Sequence, residues 1–246
     1  MKILLIAGHG NGDCGATGCG YKEADLTREV VSLVKPKLAT YATVDIADTT
    51  KNWYQHICQK GNSFNFKAYD YVLEVHFNAC VNDTKGNGDT TGTEIYVTTS
   101  EKGTSVEDNI VKNISALGFK NRGVKRKNWS LINHIKKQGV SSALLETCFI
   151  DDADDMKIYK AKKDQIAEAI TSGIVKAFGL KKKEVKKVET GKFSDIKGHW
   201  AEGVINEVAK TGIINGFTDG TFRPDNPLTR GQAVVLIRNL LNYLSK

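Results

Sequence analysis

Apolar positions along the chain follow two periods in turn. Residues 2–7, Lys-Ile-Leu-Leu-Ile-Ala, are almost uniformly apolar and read as a buried strand. Over 22–39 the spacing changes: Ala24, Leu26, Val30, Val31, Val34 and Leu38 recur with a helical period, and Pro36 should weaken the end of that helix. A short strand near 42–47, a polar and aromatic segment at 52–68 read as helical, and the strand Tyr71-Val-Leu-Glu-Val-His76 come next. The alternation continues with a strand at 93–98, a helix at 105–117, the strand Ser142-Ala-Leu-Leu-Glu146 and an amphipathic helix at 161–178.

Strands that alternate with helices need crossover connections, which implies a mostly parallel sheet covered on both faces. The fold class expected for residues 1–179 is therefore α/β, a three-layer α/β/α domain. Beyond residue 179 the apolar period stops, and the lysines of 180–191 mark a linker. Residues 192–246 read as a separate, small α-helical domain: a helix at about 199–210, a Gly-rich turn region through 215–221, and a second helix at 229–244. So small a unit is near the lower limit for an independent core and should need a partner surface.

Composition narrows the class of protein. Hydrophobic residues make up 40% and charged residues 26% of the chain, as in an ordinary folded protein, and three prolines leave little room for a Pro-rich tail. The N-terminal apolar run is too short for a membrane span or a secretory signal, so the expectation is synthesis in the cytoplasm without an export tag and no membrane insertion. Five cysteines without paired spacing argue for free thiols rather than a disulfide framework or a Cys-rich metal module. The net charge of +7 raises nucleic acid as a partner, but much of the excess sits in Lys181-Lys-Lys-Glu-Val-Lys-Lys187. Such a run is usually solvated, no nucleic-acid-binding motif accompanies it, and an anionic cell-wall polymer would be attracted equally well.

Candidate chemistry gathers at strand ends. His9 stands just past the first strand and His76 at the end of a later one, and an open α/β sheet binds ligands outside the carboxyl ends of its strands. Gly8, Gly10, Gly12 and Gly15 let the backbone around His9 turn sharply and approach a ligand, without the spacing of a phosphate loop. Glu23 opens the following helix, where the helix dipole alone would favour a carboxylate. Two histidines and one carboxylate form a known catalytic Zn2+ set, because neutral imidazole and carboxylate oxygen suit the ion while a fourth position stays open. Glu146 closes an apolar run, where an unpaired carboxylate would be costly unless a site surrounds it. His56 and His134 lack such placement, and Asn78 could bond substrate or orient His76.

Four segments in order, Ile6-Ala-Gly-His9-Gly, Tyr21-Lys-Glu23-Ala-Asp-Leu, Glu74-Val-His76-Phe-Asn78-Ala and Leu144-Leu-Glu146-Thr-Cys-Phe-Ile150, resemble the motifs of type-3 zinc N-acetylmuramoyl-L-alanine amidases. Asn121-Arg-Gly-Val124 is similar to a further segment of that family, and Asp151-Asp-Ala-Asp154 stands where it has Ser-Asn-Pro-x-Asp. The resemblance implies zinc ligation by His9, Glu23 and His76, a catalytic Glu146, and hydrolysis of the bond between the lactyl group of N-acetylmuramic acid and L-alanine in peptidoglycan. The family's arginine-bearing segment before the second histidine is replaced here by residues 52–68. A zinc peptidase or carboxypeptidase acting on stem peptides is the alternative reaction.

Phe193-Ser-Asp-Ile-Lys-Gly-His199-Trp200-Ala, Gly212-Ile-Ile-Asn-Gly216, Asp219-Gly-Thr-Phe-Arg-Pro224 and Leu228-Thr-Arg230 resemble one S-layer-homology repeat. That resemblance implies contact between Arg230, Trp200 and an anionic secondary cell-wall polysaccharide; Trp200 could otherwise fill a small core. The family's Thr-Arg-Ala-Glu becomes Thr229-Arg230-Gly231-Gln232, without the acidic residue. Repeats of this kind usually assemble in threes, so a single copy implies homo-oligomers formed through this domain. A catalytic domain joined to a wall-binding domain resembles a phage endolysin that reaches the wall after release through holin lesions, with a sporulation autolysin freed by cell lysis as the close alternative.

Overall fold

Ile3, Leu5 and Ala7 leave β1 (Lys2–Ala7) on one face and Leu4 and Ile6 on the other, and all five are buried. A strand that is apolar on both faces belongs inside a covered sheet. The computed structural model, which describes residues 1–183 and 193–244, contains that sheet in the first of two units, Met1–Lys183 and Glu184–Lys246. Strand β1 pairs in parallel with β4 (Thr43–Ile46) on one side and β5 (Tyr71–Asn78) on the other. Strand β5 continues in parallel to β8 (Ser141–Phe149), and β6 (Thr93–Val97) runs antiparallel to β8 and parallel to the edge strand β7 (Asn121–Arg126). The sheet order is β4-β1-β5-β8-β6-β7, and a two-residue ribbon of β2 (Thr17–Gly18) and β3 (Tyr21–Lys22) stands apart from it.

The two faces of the sheet are covered unequally. Helices α1 (Glu23–Ala39), α2 (Ser105–Ser115) and α4 (Ala153–Phe178) close one face with Val30, Val34, Ile110, Ile114, Ile166 and Ile170. Helix α3 (Ser130–Lys137) and the segment before β5 close part of the other with Leu131, Ile135, Trp53, Ile57 and Phe66. The result is the expected three-layer, mostly parallel α/β/α architecture, with a thinner second outer layer.

Several elements differ from the sequence reading. Residues 52–68 hold a π-helical turn, Gln55–Gln59, and a 3-10 turn, Phe66–Ala68, instead of a continuous helix. Gly61 turns the chain at φ 68° between them, and the aromatic side chains on both sides of it, Trp53, Phe64 and Phe66, pack against one another. Strand β7 and helix α3 were not expected: β7 is a polar edge with no buried side chain, and α3, although it buries Leu131, Ile132 and Ile135, is only 8 residues long. Pro36 lies inside α1, which continues to Ala39 because Val34 before it and Leu38 after it are both buried, offsetting the hydrogen bond Pro36 cannot donate. Helix α4 begins at Ala153 rather than 161, its N-terminus capped by Asp152, whose carboxylate accepts the Asp154 and Asp155 amides. It departs from helical geometry at Lys162, close to the expected start.

Leu180 packs on the larger core, and Lys183 donates its backbone N–H to the Thr40 carbonyl and its ammonium to the Ala42 carbonyl. Residues 184–191 of the linker expected at 180–191 lie outside the described residues.

In the second unit, α5 (Glu202–Thr211) and the turns around it enclose a small core of Phe193, Ile196, Ile205 and Ala209, with Phe222 against it. A β-carbon on Gly216 would sit 2.3 Å from the Phe193 ring, which explains a glycine there. Helix α6 (Arg230–Leu244) begins in a reciprocal cap: Gln232 donates its backbone N–H to Thr229 Oγ1, and its side-chain oxygen accepts the Thr229 N–H. Gln232, where the family has an acidic residue, thus serves the helix N-terminus. None of the side chains of α6 is buried among the described residues.

Candidate metal centre and its carboxylates

The face of the sheet under α3 changes character along the strands. Leu4, Ile6 and Val72 are apolar near the amino ends, whereas Glu74, His76, Asn78 and Glu146 share that face toward the carboxyl ends, since strand residues two apart point the same way. The register sets His76 of β5 beside Glu146 of β8, so the histidine and the carboxylate emerge on adjacent strands. A cleft of about 470 Å³ opens there, lined among others by His9, Glu23, His76, Glu146, Tyr54 and Trp129.

His9 comes to this cleft by an unusual backbone route. It adopts φ 61°, a left-handed conformation that costs a residue with a β-carbon and persists only where its surroundings hold it. Arg28 does much of that holding, donating from Nη1 to the Gly8 carbonyl and from Nη2 to the His9 carbonyl while also bonding Thr49. Two glycines are required by space: a β-carbon on Gly8 would lie 2.3 Å from the His76 ring, and one on Gly15 would lie 2.7 Å from both Glu23 and His9. Glu23 is the first residue of α1 and is buried, so the helix start carries its carboxylate inward.

These three side chains form a single cluster. Glu23 Oε2 lies 3.1 Å from His9 Nε2 and Glu23 Oε1 lies 2.9 Å from His76 Nδ1, while the Ala16 and Phe77 backbone amides donate to the same carboxylate. One ligand atom from each of His9, Glu23 and His76 can be chosen so that all lie within 4.8 Å of one another, and this is the one such group among the described residues. Neither His56 nor His134 belongs to it.

Residues that the sequence reading passed over hold the cluster in place. Asp13 accepts at 2.9 Å from His9 Nδ1, which leaves Nε2 facing Glu23, and is itself held by Asn52 Nδ2 and the Gly15 amide. Glu74 Oε1 lies 3.0 Å from His76 Nε2. The available signals were local: Asp13 is four residues from His9, and Glu74 is two from His76 on one strand face. Asn78 makes no hydrogen bond to His76 among the described residues; its amide donates to Glu94, which also receives Tyr96, Arg122 and Lys125.

Electrostatics follow from burial and proximity. Burial pushes the Glu146 carboxyl up to about 7, opposed by the charge of His76 and reinforced by Glu23, Glu94 and Glu74. Burial would likewise raise Glu23, but hydrogen bonds from His76 and His9 hold it well below the usual carboxylate range. Burial lowers His76, yet the Glu74 charge and the Glu23 hydrogen bond lift it well above the ordinary imidazole value. Three carboxylates on two imidazoles call for positive charge, which imidazole protons or a divalent cation can supply. The outer oxygens of Glu146 and Glu74 are buried with no hydrogen-bond partner among the described residues.

Comparison with known proteins shows the family of the chain. The N-acetylmuramoyl-L-alanine amidase family of type 3 matches residues 3–176, and the S-layer homology domain matches residues 192–234. The chain is 30% identical over 190 residues to the endolysin of Bacillus phage SPP1, covering 74% of this chain and 67% of the relative. It is 29% identical over 202 residues to the sporulation-specific N-acetylmuramoyl-L-alanine amidase of Bacillus subtilis, covering 78% and 75%. The solved amidase AmiC2 of Nostoc punctiforme shares the fold at a TM-score of 0.58 and 22% identity, over 73% of this chain and 97% of that one. With 174 residues accounted for by one family model and the His-Glu-His cluster inside them, the chain belongs to the type-3 N-acetylmuramoyl-L-alanine amidases and carries an S-layer homology domain behind its catalytic unit.

Proposed function

We propose that the chain hydrolyses the amide between the N-acetylmuramic acid lactyl group and L-alanine in peptidoglycan, with His9, Glu23 and His76 holding zinc and Glu146 acting as general base. The observation that carries this reading is the convergence of two imidazole nitrogens and one carboxylate within 4.8 Å, in a cleft also lined by Glu146. Two nitrogens and an oxygen suit Zn2+, and the unpartnered Glu146 oxygen fits a group whose partner is a water or a substrate. When bound, the ion supplies Lewis-acid charge that polarises a carbonyl oxygen and makes water a stronger acid. Glu146 takes the proton of the attacking water and returns it to the leaving nitrogen. A carboxyl that burial moves toward neutrality is suited to both steps.

Digestion of defined peptidoglycan, followed by mass spectrometry, tests the reading. The expected products are peptides with free L-alanine amino groups and intact glycan, lost with chelator and restored by zinc. A zinc peptidase or carboxypeptidase would instead shorten the stem peptide.

The second unit binds an anionic secondary cell-wall polysaccharide in this reading, through Trp200 and Arg230. Trp200 is 90% exposed, so it does not fill the core and is free to meet a ligand. The uncovered apolar side chains of α6 support self-association through this unit. The biological setting is lysis of a Gram-positive host by a phage endolysin, acting at the wall after release. Near-equal identity to the sporulation-specific relative supports a sporulation autolysin as the second reading. No helix among the described residues is long and apolar enough to cross a membrane.

A further inference from the structure

His76 lies between two carboxylates. Its Nδ1 is 2.9 Å from Glu23 Oε1 and its Nε2 is 3.0 Å from Glu74 Oε1. A neutral imidazole carries one N–H and one lone pair, so its partners decide which nitrogen can serve as a ligand atom. Glu23 also faces His9 and receives two backbone amides, which makes it the common corner of the cluster. Glu74 has a single named partner: Oε1 meets His76 Nε2, and Oε2 is buried with none among the described residues.

A buried carboxylate with so little compensation is costly, and an imidazole N–H backed by positive charge is what it lacks. Strand geometry aims the pair, because Glu74 and His76 are two apart on β5 and share a face. The ring cannot easily turn away, since the Gly8 backbone is pressed against it and His9 meets it edge-on with centroids 4.9 Å apart. His9 shows the mirror arrangement, with Asp13 on Nδ1 and Nε2 toward Glu23. The two rings therefore meet Glu23 through opposite nitrogens, each with a carboxylate behind the other one.

We propose that Glu74 is a positioning residue that accepts the Nε2–H of His76, fixing the tautomer that presents Nδ1 as the ligand atom and raising its affinity for zinc. It acts through His76 and does not itself touch substrate. This rests on the reading of His9, Glu23 and His76 as zinc ligands, and it extends that reading to the charge behind the second histidine. Outer carboxylates on ligating histidines are generally worth about 10–100-fold in metal affinity.

The test is zinc affinity of the full chain, measured by competition with a chromogenic chelator, for wild type, Glu74→Gln, Glu74→Leu and Glu107→Gln. Glu107 is a buried carboxylate bonded to Tyr71, away from the cluster, and serves as the control. Glu74→Gln keeps the volume and an acceptor but not the charge, so its loss should fall between wild type and the roughly 10–100-fold loss of Glu74→Leu, with Glu107→Gln unchanged. Long-range nitrogen-15 NMR of the zinc-loaded wild type should find the His76 proton on Nε2. Glu74 variants that bind zinc as tightly as wild type, a control that weakens binding equally, or a His76 proton on Nδ1 would overturn the proposal. A wild-type chain that takes up no zinc sinks the ligand assignment as well, whereas a zinc-binding wild type with indifferent Glu74 variants sinks this inference alone.

Discussion

The two units invert the usual placement of polar and apolar groups in opposite ways. In the first, Glu23, Glu74 and Glu94 are buried, each tied to a histidine, a cation or an amide. In the second, α6 leaves Val234, Val235, Ile237, Leu241 and Leu244 exposed. Buried charge is retained where chemistry needs it, and exposed apolar surface marks a place for a partner. The first unit thus buries charge in a site inside itself, and the second leaves apolar side chains of α6 on its surface.

The most direct way to break that comparison is to remove the charge at Glu146. Glu146→Gln should lower peptide release from peptidoglycan by about 10²–10⁴-fold, the usual worth of a general base, with folding intact. A variant that still released peptide at the wild-type rate would end the assignment. His76→Ala removes a proposed ligand atom, and metal analysis of the purified variant should find zinc well below one ion per chain. Retention of a full equivalent would place the metal elsewhere.

Stability against pH sharpens the same point. Burial raises Glu146 to about 7 in the folded, metal-free chain, above its unfolded value. A raised carboxyl stabilises fully below the unfolded pKa and loses that contribution as pH rises through the folded one. Metal-free Glu146→Gln should therefore gain on metal-free wild type by up to about 3 kcal/mol between pH 4.5 and 8, at roughly 1.4 kcal/mol per unit. Denaturant unfolding in chelator at the two ends of that range measures it, and a constant difference between the proteins would contradict the origin assigned to the shift.

The second unit gives the smaller effects. Leu241→Lys should reduce the mass seen by light scattering at micromolar concentration if α6 mediates self-association, and a wild-type chain that is already monomeric removes the idea. Trp200→Ala should weaken sedimentation with purified cell walls several-fold, on the scale of about 1 kcal/mol for one exposed aromatic contact, while leaving zinc content unchanged.

Much of the site could be read along the chain. His9 and His76 stood at strand ends, and the ordered motifs around Glu23 and Glu146 implied one as a ligand and the other as a base. Asp13, Arg28 and Asn52 could not be found that way. Each acts by a hydrogen bond to a partner in a loop whose path depends on left-handed residues and on glycines pressed against imidazole rings. Strand β7 escaped for a different reason, since a polar edge strand carries no alternation to read, and the 8-residue helix α3 is too short for its apolar period to stand out.

By itself the sequence determined the architecture and the identity of the chemical groups, because apolar period and residue type are local properties of the chain. Only the tertiary structure decided which nitrogen of each histidine faces Glu23, which carboxylate stands behind it, and that α6 is left uncovered. Those are matters of distance and burial between residues up to dozens of positions apart, and they exist only once strand parity and register have brought the elements together.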